Sequence, residues 1–302
     1  MRSYKFNPLS LITALFLLFF QINPQAQESI TTLSLRTGML LETFPDIERT
    51  DLEVALKYWT VKLSQETGIL ANIHIYTDTT EMRLGFKNGE INFIVSSPLV
   101  FINYFDLQQL TDGYKVYAEG SDTEDLLVIT RKDSHINSSK DFKNKRLSML
   151  LHDQICALYI NTLTLEHLNR KAKQVFKSIN HLYKSPQLIY QLFFKQTDVI
   201  LVYQRAYELA IELNPQIRKQ TQIIHKLPSM VRGIGYFNSN VDPDFREQVL
   251  SHLVDIHHSP SGQQLLNIFF AEQLKRSSLA DLDNTIKLKQ EYKRLINFNK
   301  LH

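Results

Sequence analysis

The chain has 302 residues, 43% of them hydrophobic and 22% charged, with a formal net charge of +3. That length allows one large domain or two of ordinary size, and that composition supplies a full hydrophobic core. Lysines and arginines are scattered among acids, which speaks against a nucleic-acid surface, and a lone cysteine, Cys156, rules out intramolecular disulfides.

The first 26 residues stand apart. Arg2 and Lys5 give a basic start, Leu9–Phe20 is apolar apart from Ser10 and Thr13, and Pro24-Gln25-Ala26 follows. This is the three-part pattern of a secretory signal peptide, and its 12-residue apolar run falls short of the roughly 20 residues that span a bilayer. Cleavage is expected near Ala26. The segment holds two positive charges (Arg2, Lys5) and no acid, so its release lowers the net charge from +3 to +1. No cysteine lies at the cut, which argues against a lipid anchor. No later stretch is long and apolar enough to read as a membrane span.

Leu33–Leu41 alternates and reads as a first strand. Thr50-Asp51-Leu52-Glu53 has the form of a capping box, and Leu52, Ala55, Leu56, Trp59 and Leu63 repeat at helical spacing until Gly68. Asn72–Tyr76 alternates as a second strand, and Thr80–Lys87 reads as a short helix. The stretch Gly89–Pro98 then carries Ile91, Phe93, Ile94 and Val95, an apolar run suited to a buried strand, and stops at Ser96-Ser97-Pro98 before the helical segment Leu99–Phe105. A β-α-β-α-β-α order predicts a parallel sheet with covering helices. Small polar residues at a strand's carboxyl end place hydroxyls and helix N–H groups where open α/β sheets bind ligands.

Tyr114–Ala118 and Leu126–Thr130 are the next strands, and Asp133–Asp141 reads as a loop. A second β-α-β-α-β block follows: strand Leu147–Leu151, helix Ile155–Leu168, strand Val175–Ile179, a helix capped by Ser185-Pro186, strand Asp198–Val202 and helix Ala206–Leu213. Thr221–His225 reads as a short strand, Leu227–Gly233 breaks the pattern, and Ile234–Phe237 resumes it. Asp242-Pro243 caps a helix to about Ile256, Ser259-Pro260 another to about Leu274, and Ser277–Asn297 is a last amphipathic helix.

Four segments in this order resemble the type 2 periplasmic substrate-binding proteins, and among them the phosphate/phosphite/phosphonate-type binding proteins of ABC transporters. They are Leu63–Ile69 leading to Asn72–Tyr76; Phe86–Pro98, with Asn92 where an acid is usual; Asp141–Leu147, similar to a D-L-K-G-K entry to a strand; and Gln187–Val202. The resemblance covers about 30–275. It implies a two-lobed α/β fold, each lobe a mostly parallel sheet flanked by helices, with a cleft between. Residues 30–125 would begin lobe 1, 126–228 would form lobe 2, and 229–302 would return to lobe 1. One departure is visible. Where the family has a hydroxyl-rich turn holding an oxyanion, this chain has His152, Asp153, Gln154, Ile155, Cys156 and Ala157, and Asp153 would repel an anion there.

The expected ligand-binding residues are Leu41, Tyr76, Ser96, Ser97, His152, Asp153, Tyr203, Arg205 and Arg232, with Met39–Glu42 and Tyr76–Asp78 as rim. A helix cap is the structural alternative for Ser97 and for Asp153, and a solvated charge is the alternative for each arginine. His252, His257 and His258 lack metal-ligand spacing, and no metal or cofactor is expected. Cys156 with His152 four residues before it is a nucleophile pair only in form; a buried small side chain is the better reading. The resemblance thus implies an exported, periplasmic, non-enzymatic protein. It would capture a small polar solute, phosphate- or phosphonate-like in the family, and deliver it to an ABC permease. A sensor presenting its state to a membrane-bound receptor is the alternative, and a secreted enzyme a distant third.

Overall fold

The structure, a computed structural model, describes residues 33–43 and 47–300; the expected signal segment lies outside them. The first run of elements is β1 (Ser34–Leu40), α1 (Arg49–Thr67), β2 (Leu70–Tyr76), α2 (Thr79–Lys87), β3 (Phe93–Ser96), α3 (Pro98–Tyr104) and β4 (Leu110–Tyr117). Then come β5 (Glu124–Arg131), β6 (Arg146–Leu150), α4 (Gln154–Leu168), α5 (Ala172–Val175), β7 (Ser178–Leu182), α6 (Ser185–Phe193), β8 (Val199–Tyr203), α7 (Gln204–Leu213), α8 (Gln216–Gln220) and β9 (Thr221–Met230). The last are β10 (Ile234–Asn238), α9 (Pro243–Asp255), α10 (Pro260–Ile268), β11 (Gln273–Ser277) and α11 (Asp283–Lys300).

These elements build a two-lobed α/β fold. The first lobe's sheet has the order β11-β4-β10-β3-β1-β2, the second's β7-β6-β8-β5-β9. Strands joined through helices pair in parallel: β1 with β2 and β3, β6 with β7 and β8. The crossing and returning strands β4, β5, β9, β10 and β11 pair antiparallel. The chain therefore passes between sheets twice, from β4 to β5 and from β9 to β10.

The central strands explain why the sheets hold. All four residues of β3 and all five of β8 are buried, as a strand covered on both faces requires. Burying one such Val, Leu, Ile or Phe side chain contributes about 1.5–3 kcal/mol. In the first lobe, α1, α9 and α10 cover one face of the sheet through Leu56, Val249 and Leu266, and α2 and α3 cover the other through Met82 and Phe101. The second lobe has one continuous core. α11 bridges the two: its Leu288 packs into the second lobe's core, while Lys289 donates to the Ile102 carbonyl at 3.1 Å in α3.

Two polar residues of the family-like segments, Asn92 and Asp198, tie strands together, and a third, Asp141, caps the turn before β6. The Asn92 side chain donates to the Ser34 carbonyl and accepts from the Arg36 N–H, both at 2.8 Å. Asp198 accepts from the Arg146 backbone N–H and guanidinium. Asp141 accepts from the Asn137 and Ser138 N–H groups.

Several elements differ from their sequence expectation. α1 starts at Arg49 with Glu48 as an unbonded N-cap, so Thr50 lies inside the helix and the capping box is not formed. α6 likewise starts at Ser185 after Lys184, with Pro186 in the first turn. β9 runs through Pro228 to Met230 instead of ending at His225. It is an edge strand, where a missing N–H costs no ladder bond. Val175 ends a helix and the strand begins at Ser178. The helix expected to reach Leu274 stops at Ile268, and Gln273–Ser277 forms a charged edge strand on β4. Among the described residues no helix is long and apolar enough to cross a membrane.

Candidate functional site

The carboxyl ends of β1, β3, β6 and β8 meet the segment returning from β9 around one cavity of about 460 Å³. The first lobe contributes Glu42 and Thr43 after β1, and Ser97 and Pro98 after β3. The second contributes His152, Asp153, Gln154 and Ile155 after β6, and Tyr203 at the end of β8. Val231 and Arg232 come from the returning segment.

Each side chain has a local reason to be there. β3 ends at Ser96, whose side chain is fully buried and accepts a long hydrogen bond from the Thr43 hydroxyl at 3.5 Å. Ser97 is the N-cap of α3, with extended backbone, yet its hydroxyl makes no capping bond. The capping alternative for Ser97 is thus not used, and Ser97 lines the cavity. His152 follows β6 with φ 63°, in the left-handed region that histidine visits more readily than most residues. That turn sets Asp153 as N-cap of α4, where its carboxylate accepts from the Cys156 N–H at 2.9 Å. The anion-favouring end of α4 therefore already holds the protein's own carboxylate.

Arg232 dominates the floor. Its guanidinium lies 3.4 Å from the Tyr203 ring centroid and 3.5 Å from a Glu124 carboxylate oxygen. Burial works against its charge, but Tyr203, Glu124 and Asp153 more than offset that, so the group is held above its ordinary range. Burial, helped by Asp153, pushes the Tyr203 phenol well up. Among the described residues, a direct hydrogen bond links the lobes across the cavity, from the Gln154 amide to a Glu42 carboxylate oxygen at 3.1 Å. Glu124 and Asp153 act on the Arg232 guanidinium, and Glu42 lines the same cavity, so three carboxylates stand against one guanidinium, an arrangement that favours a ligand carrying positive charge over a bare anion.

Of the residues expected from sequence, Ser97, His152, Asp153, Tyr203 and Arg232 line this cavity. Leu41, Tyr76, Ser96 and Arg205 are not among its lining residues. Glu42 and Thr43, just after Leu41, take that place. Tyr76 is core, its ring 4.4 Å from His74. Ser96 sits beneath Thr43. Arg205 turns away to the Phe270 carbonyl at 3.1 Å and to Glu119, also at 3.1 Å. Thr43, Gln154 and Glu124 were not singled out. Gln154 follows directly on the expected His152-Asp153 turn, whereas Glu124 has no local signal, because its role depends on strand pairing across the second sheet.

Cys156 is fully buried, and burial drives its thiol well above the ordinary range, as does Asp153 beside it, so it does not face the cavity as a nucleophile. Among the described residues, no three His, Cys, Asp or Glu side chains gather as a metal-binding group.

A family model described as ABC transporter, phosphonate, periplasmic substrate-binding protein matches residues 42–282. A comparison with curated proteins found no match. Among solved structures, the chain is similar to a binding protein component of an ABC phosphonate transporter from Pseudomonas aeruginosa, with TM-score 0.65, 14% identity and 89% of each chain covered. It is also similar to a Xanthomonas citri protein bound to ATP, with TM-score 0.63, 13% identity, and 87% of this chain and 98% of the other covered. A third is a Prochlorococcus marinus protein in complex with methylphosphonate, with TM-score 0.63, 14% identity, and 86% and 98% covered. At these identities the likeness is one of fold.

Proposed function

On the premise that the chain belongs to the periplasmic substrate-binding proteins of the phosphonate ABC-transporter family, we propose that its ligand is a zwitterion, with an amine at one end and an acidic group at the other, delivered to a membrane permease. The coarser part is given by the family: a periplasmic solute-binding protein of a transporter, not an enzyme, that holds a small polar ligand between two lobes. The proposal adds the ligand's charge pattern and its contacts. It also adds that residues 1–26 are the signal that exports the chain.

One observation carries the reading. The position where an oxyanion would rest on the α4 N-terminus is taken by the Asp153 carboxylate. Asp153 and Glu42 suit an ammonium group. Ser97, the first turn of α3 and the open side of Arg232 suit the acidic end. The Arg232 side chain keeps 32% exposure, so it can add a partner without leaving Tyr203. Closure is then a population shift, driven by whatever contacts the ligand makes only when both walls reach it.

Thermal unfolding of the purified protein against a panel of alkylphosphonates, aminoalkylphosphonates, amino acids, polyamines and phosphate tests this. A ligand at 100 times its dissociation constant stabilises by about 2.7 kcal/mol. Zwitterions should shift the transition, and plain oxyanions should not. A shift with phosphate or alkylphosphonates alone would reverse the assignment. No shift with any solute would favour a receptor-facing sensor over a carrier.

A further inference from the structure

A second empty space, larger than the cleft, lies inside the first lobe. Between the first lobe's sheet and the helices α1, α9 and α10 lies a cavity of about 720 Å³ with almost wholly apolar walls, among them Trp59, Phe93, Leu266 and Phe269. Well-packed interiors leave few voids larger than a water molecule. Apolar cavities stay dry and take up apolar guests.

Two hydroxyl-bearing side chains break the apolar wall. Thr37, on β1 in register with Phe93, is 3% exposed, lines the cavity, and its hydroxyl has no hydrogen-bond partner among the described residues. An unpaired buried hydroxyl is costly and calls for a partner. Tyr114 lines the same cavity, stacked on Phe93 with ring centroids 5.6 Å apart. Burial pushes its phenol up, so it stays a neutral donor. No charged side chain lines the space.

We propose that this cavity is a second binding site, for an uncharged, mainly apolar small molecule bearing one hydroxyl or carbonyl that pairs with Thr37. It stands apart from the cleft and does not depend on what the cleft binds.

Trp59 is the chain's only tryptophan and lines the cavity, so its fluorescence reports on this site directly. The probes are n-octanol, n-octane and a terminally brominated octanol, titrated into the purified protein. The brominated alcohol should quench Trp59 saturably, and n-octanol should displace it. Thr37→Val should weaken n-octanol by about three- to tenfold, the loss of one hydrogen bond, and leave n-octane unchanged. Ala271→Phe and Val116→Phe, each checked for a native circular dichroism spectrum, should abolish the saturable quenching by filling the space. Quenching that rises linearly, as with a free tryptophan derivative, would overturn the proposal. So would saturable quenching that survives both filling variants in their folded form, or an equal effect of Thr37→Val on alcohol and alkane.

Discussion

Asp153→Asn separates the charge of the cleft from its architecture. Asparagine caps a helix about as well as aspartate, so the bond to the Cys156 N–H and the start of α4 should survive. What disappears is one negative charge on the cavity wall. Two unit charges 4 Å apart interact by about 1 kcal/mol in water and about 4 kcal/mol at the effective dielectric near a protein surface. An aminoalkylphosphonate whose ammonium faces Asp153 should therefore bind at least about fivefold more weakly to the variant. A plain alkylphosphonate, relieved of the same repulsion, should bind more tightly by a similar factor. Isothermal titration calorimetry of both ligands on both proteins reads the two changes. Their opposite sign is the essential result, because a general loosening of the protein would weaken both. If both affinities stayed within twofold (about 0.4 kcal/mol) of wild type, or moved in the same direction, Asp153 would not face the ligand and the zwitterion assignment would fall.

Four further outcomes are expected. Asp198 is held below the ordinary carboxylate range, chiefly by hydrogen bonds from Arg146, so its contribution is present above the unfolded value near 3.9 and lost as pH falls through the lowered folded value; Asp198→Asn should cost about 1–3 kcal/mol in urea unfolding at pH 7 and progressively less below pH 4. Gly113→Ala would place a Cβ 1.7 Å from the Gly235 carbonyl oxygen in the adjacent strand and should abolish soluble expression or lower the urea midpoint severely. Gly68→Ala, at φ 71° in open space, should cost only the left-handed penalty of about 1–2 kcal/mol. Leu288→Ala should cost about 2–5 kcal/mol by opening a cavity where α11 enters the second lobe's core, and amide exchange should rise in α4 before it rises in α1.

The β-α-β order, the buried runs Phe93–Val95 and Val199–Val202, and the caps Asp242 and Ser259 were all legible, because each is written within a few residues. β11 was not. Gln273–Ser277 is short and charged, and it is a strand only because β4 offers it an edge. Pro228 reads as a breaker when its neighbours are unknown, and as harmless once β9 is seen to lie at the rim of its sheet. The cleft shows the same division. His152, Asp153 and Ser97 could be placed from strand ends. Glu124 became visible only when β5 paired with β9, which sets it opposite Met230 and so beside Arg232, and Arg205 left the list because Glu119 and Phe270, on the other lobe's side of the crossing, hold it elsewhere.

The double passage between sheets also orders the birth of the molecule. β5 to β9 is one unbroken stretch, so the second lobe can close on itself as soon as residue 230 is available. The first sheet cannot. β10 lies between β3 and β4, in the middle of that sheet, and β11 comes later still. Until residues 234–238 arrive, β3 presents one bare edge and β4 has no partner on either side, and contacts of such long sequence separation form slowly. A half-made chain is therefore a sticky one. During synthesis and passage to its compartment, the segment most in need of shielding by a chaperone is Phe93–Ser96, the same strand that later ends at the ligand cleft.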